Sequence, residues 1–154
     1  MNKTLVDSAA VLATVKARTK DAALKELLQA AQEADIVGKK VVAAMAKKLS
    51  EREAIGSTGL GNGVAVPHVK HESIAATSLV LARTAPGIEW QAIDGRPVQI
   101  MFLVLSPGDD PESHLQCLRW ISTLARHADF RRFLLDGKDA TAMRELLREM
   151  LPKS

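Results

Sequence analysis

Apolar residues in the first third of the chain recur at helical spacing in two segments, which predicts two amphipathic helices. Thr19 is suited to cap the first helix, whose apolar face would contain Ala23, Leu24, Leu27, Leu28 and Ala31. Gly38 interrupts the pattern, and the second helix is predicted from Lys39 to about Ser50, with Arg52 just past its end. A first strand is predicted over residues 11–15.

Near-continuous apolar runs in the middle of the chain predict strands that are covered on both faces. The strongest run spans residues 98–105, and shorter runs span residues 64–66 and 78–83. A break at Pro86-Gly87 would separate residues 78–83 from a short strand over residues 88–90, and Asp94-Gly95 predicts a turn.

Three further helices are predicted toward the carboxyl terminus. Asp109 or Asp110 would cap the first, with Pro111 in its first turn. Its buried face would contain Leu115, Leu118, Ile121, Leu124 and Ala125. A short helix over residues 128–135 would end at Gly137, and Asp139 would cap the last helix. Helices before, between and after strands predict an α/β sandwich: one domain over residues 1–154, with a mixed sheet of about five strands flanked by helices on both faces.

Composition narrows the class of protein. The chain has 154 residues, of which 47% are hydrophobic, so it can bury a substantial core. It contains neither an apolar run long enough to span a bilayer nor a secretion signal, so we expect a cytoplasmic protein without direct membrane insertion. The single cysteine, Cys117, agrees with a reducing compartment. A net charge of +3 without a basic block, together with 3% aromatic residues, argues against a nucleic-acid partner.

The segment Asn62-Gly-Val-Ala-Val-Pro-His68 is the most informative part of the sequence. Gly61 and Gly63 permit a tight turn, and Pro67 keeps the residue before it extended. His68 is thereby expected at the end of a strand in a fixed position. A neutral imidazole nitrogen is a good nucleophile and, with a reference pKa of about 6.5, most of the ring is neutral near pH 7. His68 is therefore the candidate phosphoacceptor.

Other residues could support a phosphoryl group on His68. The guanidinium of Arg52 offers a planar pair of donors. Gly61, Asn62 and Gly63 could supply backbone N–H groups as a small anion nest, with the Thr58 hydroxyl nearby. His114, in the first turn of its predicted helix, could form a hydrogen bond to the phosphate or orient His68. The glycines match neither a P-loop nor a dinucleotide-binding fingerprint.

Arg52-Glu followed by Ser57-Thr-Gly-Leu-Gly-Asn-Gly-Val-Ala-Val-Pro-His68 resembles the active-site signature of enzyme IIA of the mannitol/fructose class. This class belongs to the phosphoenolpyruvate-dependent sugar phosphotransferase system and includes the nitrogen-regulatory enzyme IIA. The resemblance continues through residues 94–105 and the segment that starts at His114, so it covers essentially the whole chain.

The resemblance implies a phosphotransferase component with a mixed sheet flanked by helices. His68 would accept a phosphoryl group, on Nε2, from the carrier HPr or its nitrogen-branch counterpart. Arg52 would bind the phosphate and His114 would be the second active-site histidine. The favoured role is regulatory, with regulatory proteins as targets; the alternative is sugar uptake, in which phosphate passes to enzyme IIB of a fructose or mannitol permease. We expect neither a cofactor nor a metal.

Two other classes of function compete with a phosphocarrier. His68, His71 and His114, with Glu72, could form a metal site, although Arg52 in the same place would repel a cation. The chain could also be a binding module that has kept the fold and lost transfer. Two histidines and an arginine around one pocket argue against a pure scaffold.

Overall fold

The computed structural model describes residues 3–153. In that part the chain forms six α-helices and six strands, with a 3₁₀ turn at Lys39–Val41. The elements are α1 (Lys3–Asp7), β1 (Ala10–Leu12), α2 (Lys20–Glu33), α3 (Val42–Ile55), β2 (Gly59–Gly61), β3 (Val64–Ala65), β4 (His68–Lys70), β5 (Ser78–Ile88), β6 (Val98–Ser106), α4 (Pro111–Ala125), α5 (Ala128–Asp136) and α6 (Ala140–Glu149).

The strands form one mixed sheet with β6 at its centre. Its order is β1-β5-β6-β3-β2, and β4 pairs with β6 further along the same edge as β3. β5 is antiparallel to β6, whereas β3 and β4 are parallel to it. The predicted mixed α/β sandwich is therefore confirmed. The sheet has six strands and not the predicted five. The two strands predicted over residues 78–83 and 88–90 are one strand, β5, while β2 and β4, with three residues each, are too short to show a period in the sequence.

Alternate residues of the two long strands enter two different cores, one on each face of the sheet. Val80 and Leu103 lie in a core that α2 and α3 cover, while Leu81 and Phe102 lie in a core covered by α1, α4, α5 and α6. Both faces are buried, which explains the continuous apolar runs. Cys117 is fully buried in the second core, and burial raises the pKa of its thiol to about 12.

The predicted helix caps are confirmed at three positions. The side chain of Thr19 accepts a hydrogen bond from the Ala22 N–H (3.3 Å), and that of Asp139 accepts one from the Ala142 N–H (2.9 Å). Of the two candidates for α4, the cap is Asp110, whose Oδ1 accepts from the Ser113 N–H (3.2 Å). The caps fix where the first turn of α4, which carries His114, begins.

Several predicted boundaries were wrong. β1 begins at Ala10 and ends at Leu12, although the Val15 N–H still bonds to the Arg83 carbonyl of β5. β5 continues through Pro86-Gly87 to Ile88, because an irregularity in its pairing with β6 between Arg83 and Ile88 accommodates a proline that has no N–H to donate.

Two corrections affect the candidate site. α3 runs to Ile55, so Arg52 lies in its last turn and not past its end. Leu115, predicted to face inward, is 45% exposed. Its neighbour His114 is buried instead, so the inward-facing position in the first turn of α4 is occupied by a polar side chain and not by an apolar one.

Candidate active site

His68 opens β4, at the edge of the sheet next to the last residues of β6. It pairs with Val104, whose N–H donates to the carbonyl of Pro67 (3.0 Å). The ring is half-buried, and its Nδ1 lies 2.8 Å from the Val66 carbonyl oxygen. A carbonyl oxygen can only accept, so Nδ1 carries the proton of the neutral ring. Nε2 is then left with a free lone pair.

His114 is the second ring of the site and is only 6% exposed. The ring centroids of His68 and His114 lie 5.5 Å apart, and the two planes are tilted by 59°. The Nδ1 of His114 lies 2.7 Å from the Oγ of Ser106. Burial, with smaller electrostatic contributions from His68 and Lys70, lowers the pKa of His114 to about 4. His114 is therefore neutral at physiological pH.

Arg52 lies in the last turn of α3, a helix that packs against β4, the strand that begins at His68. Its Nη1 donates to the carbonyl oxygen of Gly56 (2.7 Å). β2 is antiparallel to β3, with Gly59 opposite Ala65 and the Thr58 carbonyl accepting from the Val66 N–H. The guanidinium is thus anchored to the segment that joins α3 to β2.

The glycine turn does not contribute to this site, contrary to the prediction of an anion nest. Gly61, Asn62 and Gly63 all have positive φ and join β2 to β3. The Gly63 carbonyl accepts from the Gln99 N–H, whereas His68 pairs with Val104 five residues along β6. Five residues of strand span about 16 Å. Gly61, Asn62 and Gly63 therefore shape a hairpin at the other end of β6, where the Asn62 N–H donates to Asp94.

Thr58 also has a structural partner and not a free hydroxyl. Its Oγ1 donates to the carboxylate of Glu53 and accepts from the indole N–H of Trp90 (3.3 Å). Glu53, which is 8% exposed, additionally accepts from the Thr58 N–H (3.1 Å) and pairs with Lys20 (3.2 Å). This buried network, Lys20, Glu53, Thr58 and Trp90, ties the last turn of α3 to the start of β2. Sequence reasoning missed it, because a glutamate in a helix does not show by its spacing that it is buried.

The residues considered for a metal site are not arranged as one. His71 turns its Nδ1 toward the hydroxyl of Ser73 (2.7 Å). Across residues 3–153, no group of three or more His, Cys, Asp or Glu side chains is placed to hold a metal ion. The same range has no helix that combines the length and apolar character needed to cross a membrane.

The low pKa of His114 predicts a loss of stability in acid. Between about 6.5 and about 4, the unfolded chain binds a proton at this ring that the folded chain does not. Stability contributed by His114 should therefore be complete above pH 6.5 and fall as the pH drops toward 4. Urea unfolding at pH 7 and pH 5 should show that wild type loses on the order of 1–2 kcal/mol more than His114→Gln. Equal losses of unfolding free energy in the two proteins would contradict the conclusion that His114 is buried as a neutral ring.

The fold and site described above are those of a component of a phosphotransferase system, a class of proteins that carry a phosphoryl group on histidine. The chain belongs to the family described as "Phosphoenolpyruvate-dependent sugar phosphotransferase system, EIIA 2", whose model matches residues 4–150. The resemblance noted in the sequence is confirmed by this match.

Named relatives fall in both branches of the family. The chain is 34% identical over 133 residues to the fructose-specific EIIA component of a phosphotransferase system from Haloferax volcanii, covering 86% of this chain and 85% of that one. It is 35% identical over 143 residues to a nitrogen regulatory protein from Bradyrhizobium diazoefficiens, covering 93% and 92%.

A solved structure agrees with this assignment. The nitrogen regulatory protein IIA-Ntr from Neisseria meningitidis superposes with a TM-score of 0.84 at 25% sequence identity, covering 94% of this chain and 99% of that one. The two folds therefore correspond over nearly their whole length.

Proposed function

We propose that His68 is the phosphoacceptor and that it uses Nε2. The observation that carries the proposal is the hydrogen bond from Nδ1 to the Val66 carbonyl, which leaves Nε2 unprotonated next to His114. In the transfer, the N–P bond of a donor phosphohistidine breaks as a new N–P bond forms at His68 Nε2. The donor imidazole keeps the electron pair of the broken bond, and no redox partner is needed.

Arg52 and His114 have different roles in this proposal. The transferring group spreads negative charge over three oxygens, so the protein must mainly supply positive charge and donors. Arg52 supplies a charged fork from the end of α3. His114 supplies a neutral donor from the first turn of α4, where the helix dipole also favours an anion. Neither residue carries the phosphoryl group itself.

Arg52→Lys is expected to slow phosphoryl transfer about ten-fold although the charge is kept. An ammonium group cannot reproduce the planar pair of donors that fits two phosphate oxygens. Single-turnover transfer from phosphorylated carrier, followed by rapid quench, measures the rate. Lys47→Arg, an exposed change on the same helix, is the matched control and should match wild type. A wild-type rate for Arg52→Lys would show that transfer does not require the planar pair of donors of the guanidinium.

The donor is a carrier protein, either HPr or its nitrogen-branch counterpart. Two exposed apolar side chains are close in sequence to candidate site residues: Ile55, 84% exposed and three residues after Arg52, and Leu115, next to His114. Apolar side chains exposed beside a polar centre are typical of a surface that docks another protein. We therefore also propose that the protein acts in the cytoplasm, where it would meet such a carrier.

We propose the regulatory branch as the role of the phosphorylated protein, acting on regulatory target proteins. The match to the nitrogen regulatory relative, which extends over 143 residues, and the close superposition on IIA-Ntr support this role. The second candidate is sugar uptake, in which phosphate passes from His68 to an enzyme IIB. The 34% identity to a fructose-specific EIIA component favours it.

Reconstitution tests both the transfer and the branch. Purified protein is incubated with phosphoenolpyruvate, enzyme I and each carrier in turn, and intact mass reports phosphorylation. The expected result is the addition of one phosphoryl group, faster from the nitrogen-branch carrier. Onward transfer to a fructose-type or mannitol-type enzyme IIB would select the sugar-uptake role. Absence of labelling by either carrier would refute the proposed function.

A further inference from the structure

Behind His114 lies a short chain of hydroxyl groups that the transfer mechanism has not used. Ser106, the last residue of β6, is fully buried, and its Oγ lies 2.7 Å from His114 Nδ1. The Oγ1 of Thr77, immediately before β5, lies within hydrogen-bonding distance of the same Ser106 Oγ (3.2 Å). The three side chains thus form a line that leads from the surface to the second ring of the site.

The Ser106 hydroxyl has one proton, so the chain of hydrogen bonds can run in either of two directions. Ser106 either donates to His114 Nδ1 and accepts from Thr77, or accepts from a protonated Nδ1 and donates to Thr77. Because His114 Nδ1 is occupied by Ser106 in both cases, only Nε2 is left to meet a phosphoryl group on His68. Only the first arrangement places the ring N–H on Nε2, where it can donate to phosphate oxygens.

We propose that Thr77 and Ser106 are positioning residues that hold His114 as the tautomer protonated on Nε2. The inference rests on the proposed function, because it assigns His114 a donor facing the phosphoryl group on His68. The opposite tautomer would present a lone pair to phosphate oxygens and repel them.

Two features of the surroundings mean that the tautomer of His114 determines whether its ring can donate to phosphate. His114 is neutral at physiological pH, so the ring has a single N–H to place. Ser106 is also fixed through its backbone, since its carbonyl accepts from the His71 N–H (2.9 Å) at the end of β4. Ser106, which orients His114, is therefore hydrogen-bonded to the residue that follows β4, the strand that begins at His68. This bond helps to fix the positions of the two rings relative to each other.

Nitrogen NMR of the histidine side chains tests the tautomer without any transfer reaction. In ¹⁵N-labelled, unphosphorylated wild type at pH 7, His114 Nε2 should give the signal of a protonated ring nitrogen and Nδ1 that of an unprotonated one. Ser106→Ala should move His114 toward a mixture of tautomers. Thr77→Val keeps the side-chain shape and should produce a smaller change in the same direction. A wild-type ring protonated on Nδ1, or an unchanged tautomer in Ser106→Ala, would overturn the proposal.

Transfer rates supply the functional measurement. Ser106→Ala should accept phosphate from the carrier about ten-fold more slowly, corresponding to a loss of about 1.4 kcal/mol. Ser78→Ala is the matched control: this half-buried hydroxyl lies next to Thr77 but donates to the Ala76 carbonyl (2.8 Å), and its removal should leave rate and tautomer unchanged. A wild-type rate in Ser106→Ala would contradict the inference. Wild type that is never phosphorylated would instead refute the proposed function, since the NMR result is obtained independently.

Discussion

His68→Ala is expected to take up no phosphoryl group from phosphorylated carrier. No other ring in the site is placed to replace it, because His114 is buried and directs its Nδ1 to Ser106, and His71 is bonded to Ser73. Intact-mass measurement after incubation with phosphoenolpyruvate, enzyme I and carrier would show only the unmodified variant. Wild type in the same reaction would gain one phosphoryl group.

His71→Ala is the matched control for this experiment. It removes a neighbouring histidine of the same segment and should be labelled to the wild-type level. Full labelling of His68→Ala, or loss of labelling in His71→Ala, would show that the phosphoacceptor has been assigned to the wrong ring. Circular dichroism of both variants would establish that each remains folded.

Glu53→Ala is expected to lower the free energy of unfolding by about 3 kcal/mol, because removal of one partner from a buried ion pair leaves the others without compensation. The carboxylate holds Lys20 and both the N–H and the hydroxyl of Thr58, and Thr58 in turn accepts from Trp90. Urea unfolding monitored by tryptophan fluorescence measures the loss.

Glu51→Ala, an exposed change two residues earlier on α3, should alter the same quantity by less than about 0.5 kcal/mol. Comparable effects of the two substitutions would mean that the buried network does not stabilise the end of α3. Because Arg52 lies between these residues, the Glu53 variant should also transfer phosphate more slowly, whereas the Glu51 variant should not.

The elements with strong periodicity were predictable from the sequence. The two long strands have apolar residues on both faces, and the helix caps at Thr19, Asp110 and Asp139 are local features that do not depend on the rest of the fold. His68 and His114 could also be identified from the sequence as candidate site residues, and the structure places their rings close together.

What could not be predicted depends on register and on contacts between distant segments. The glycine turn is adjacent to His68 in sequence, but an extended chain between them separates the two along β6. Ser106 ends an apolar strand and Thr77 lies in a loop, so neither shows a pattern that would point to His114. In the sequence nothing distinguishes Glu53 from an ordinary helix glutamate, because its burial depends on Thr58, which contacts both Glu53 and Trp90.

The separation between the glycine turn and His68 affects how sequences of this kind are classified. A search pattern that spans Gly59 to His68 measures two separate properties, the ability to close a hairpin and the presence of the proposed phosphoacceptor. A chain could keep all the glycines, fold normally and be chemically inert after one substitution at position 68. Another could lose a glycine and retain its reactivity at reduced stability. Paralogues should therefore be sorted by the residues at positions 52, 68 and 114, with the glycines used only as markers of the fold.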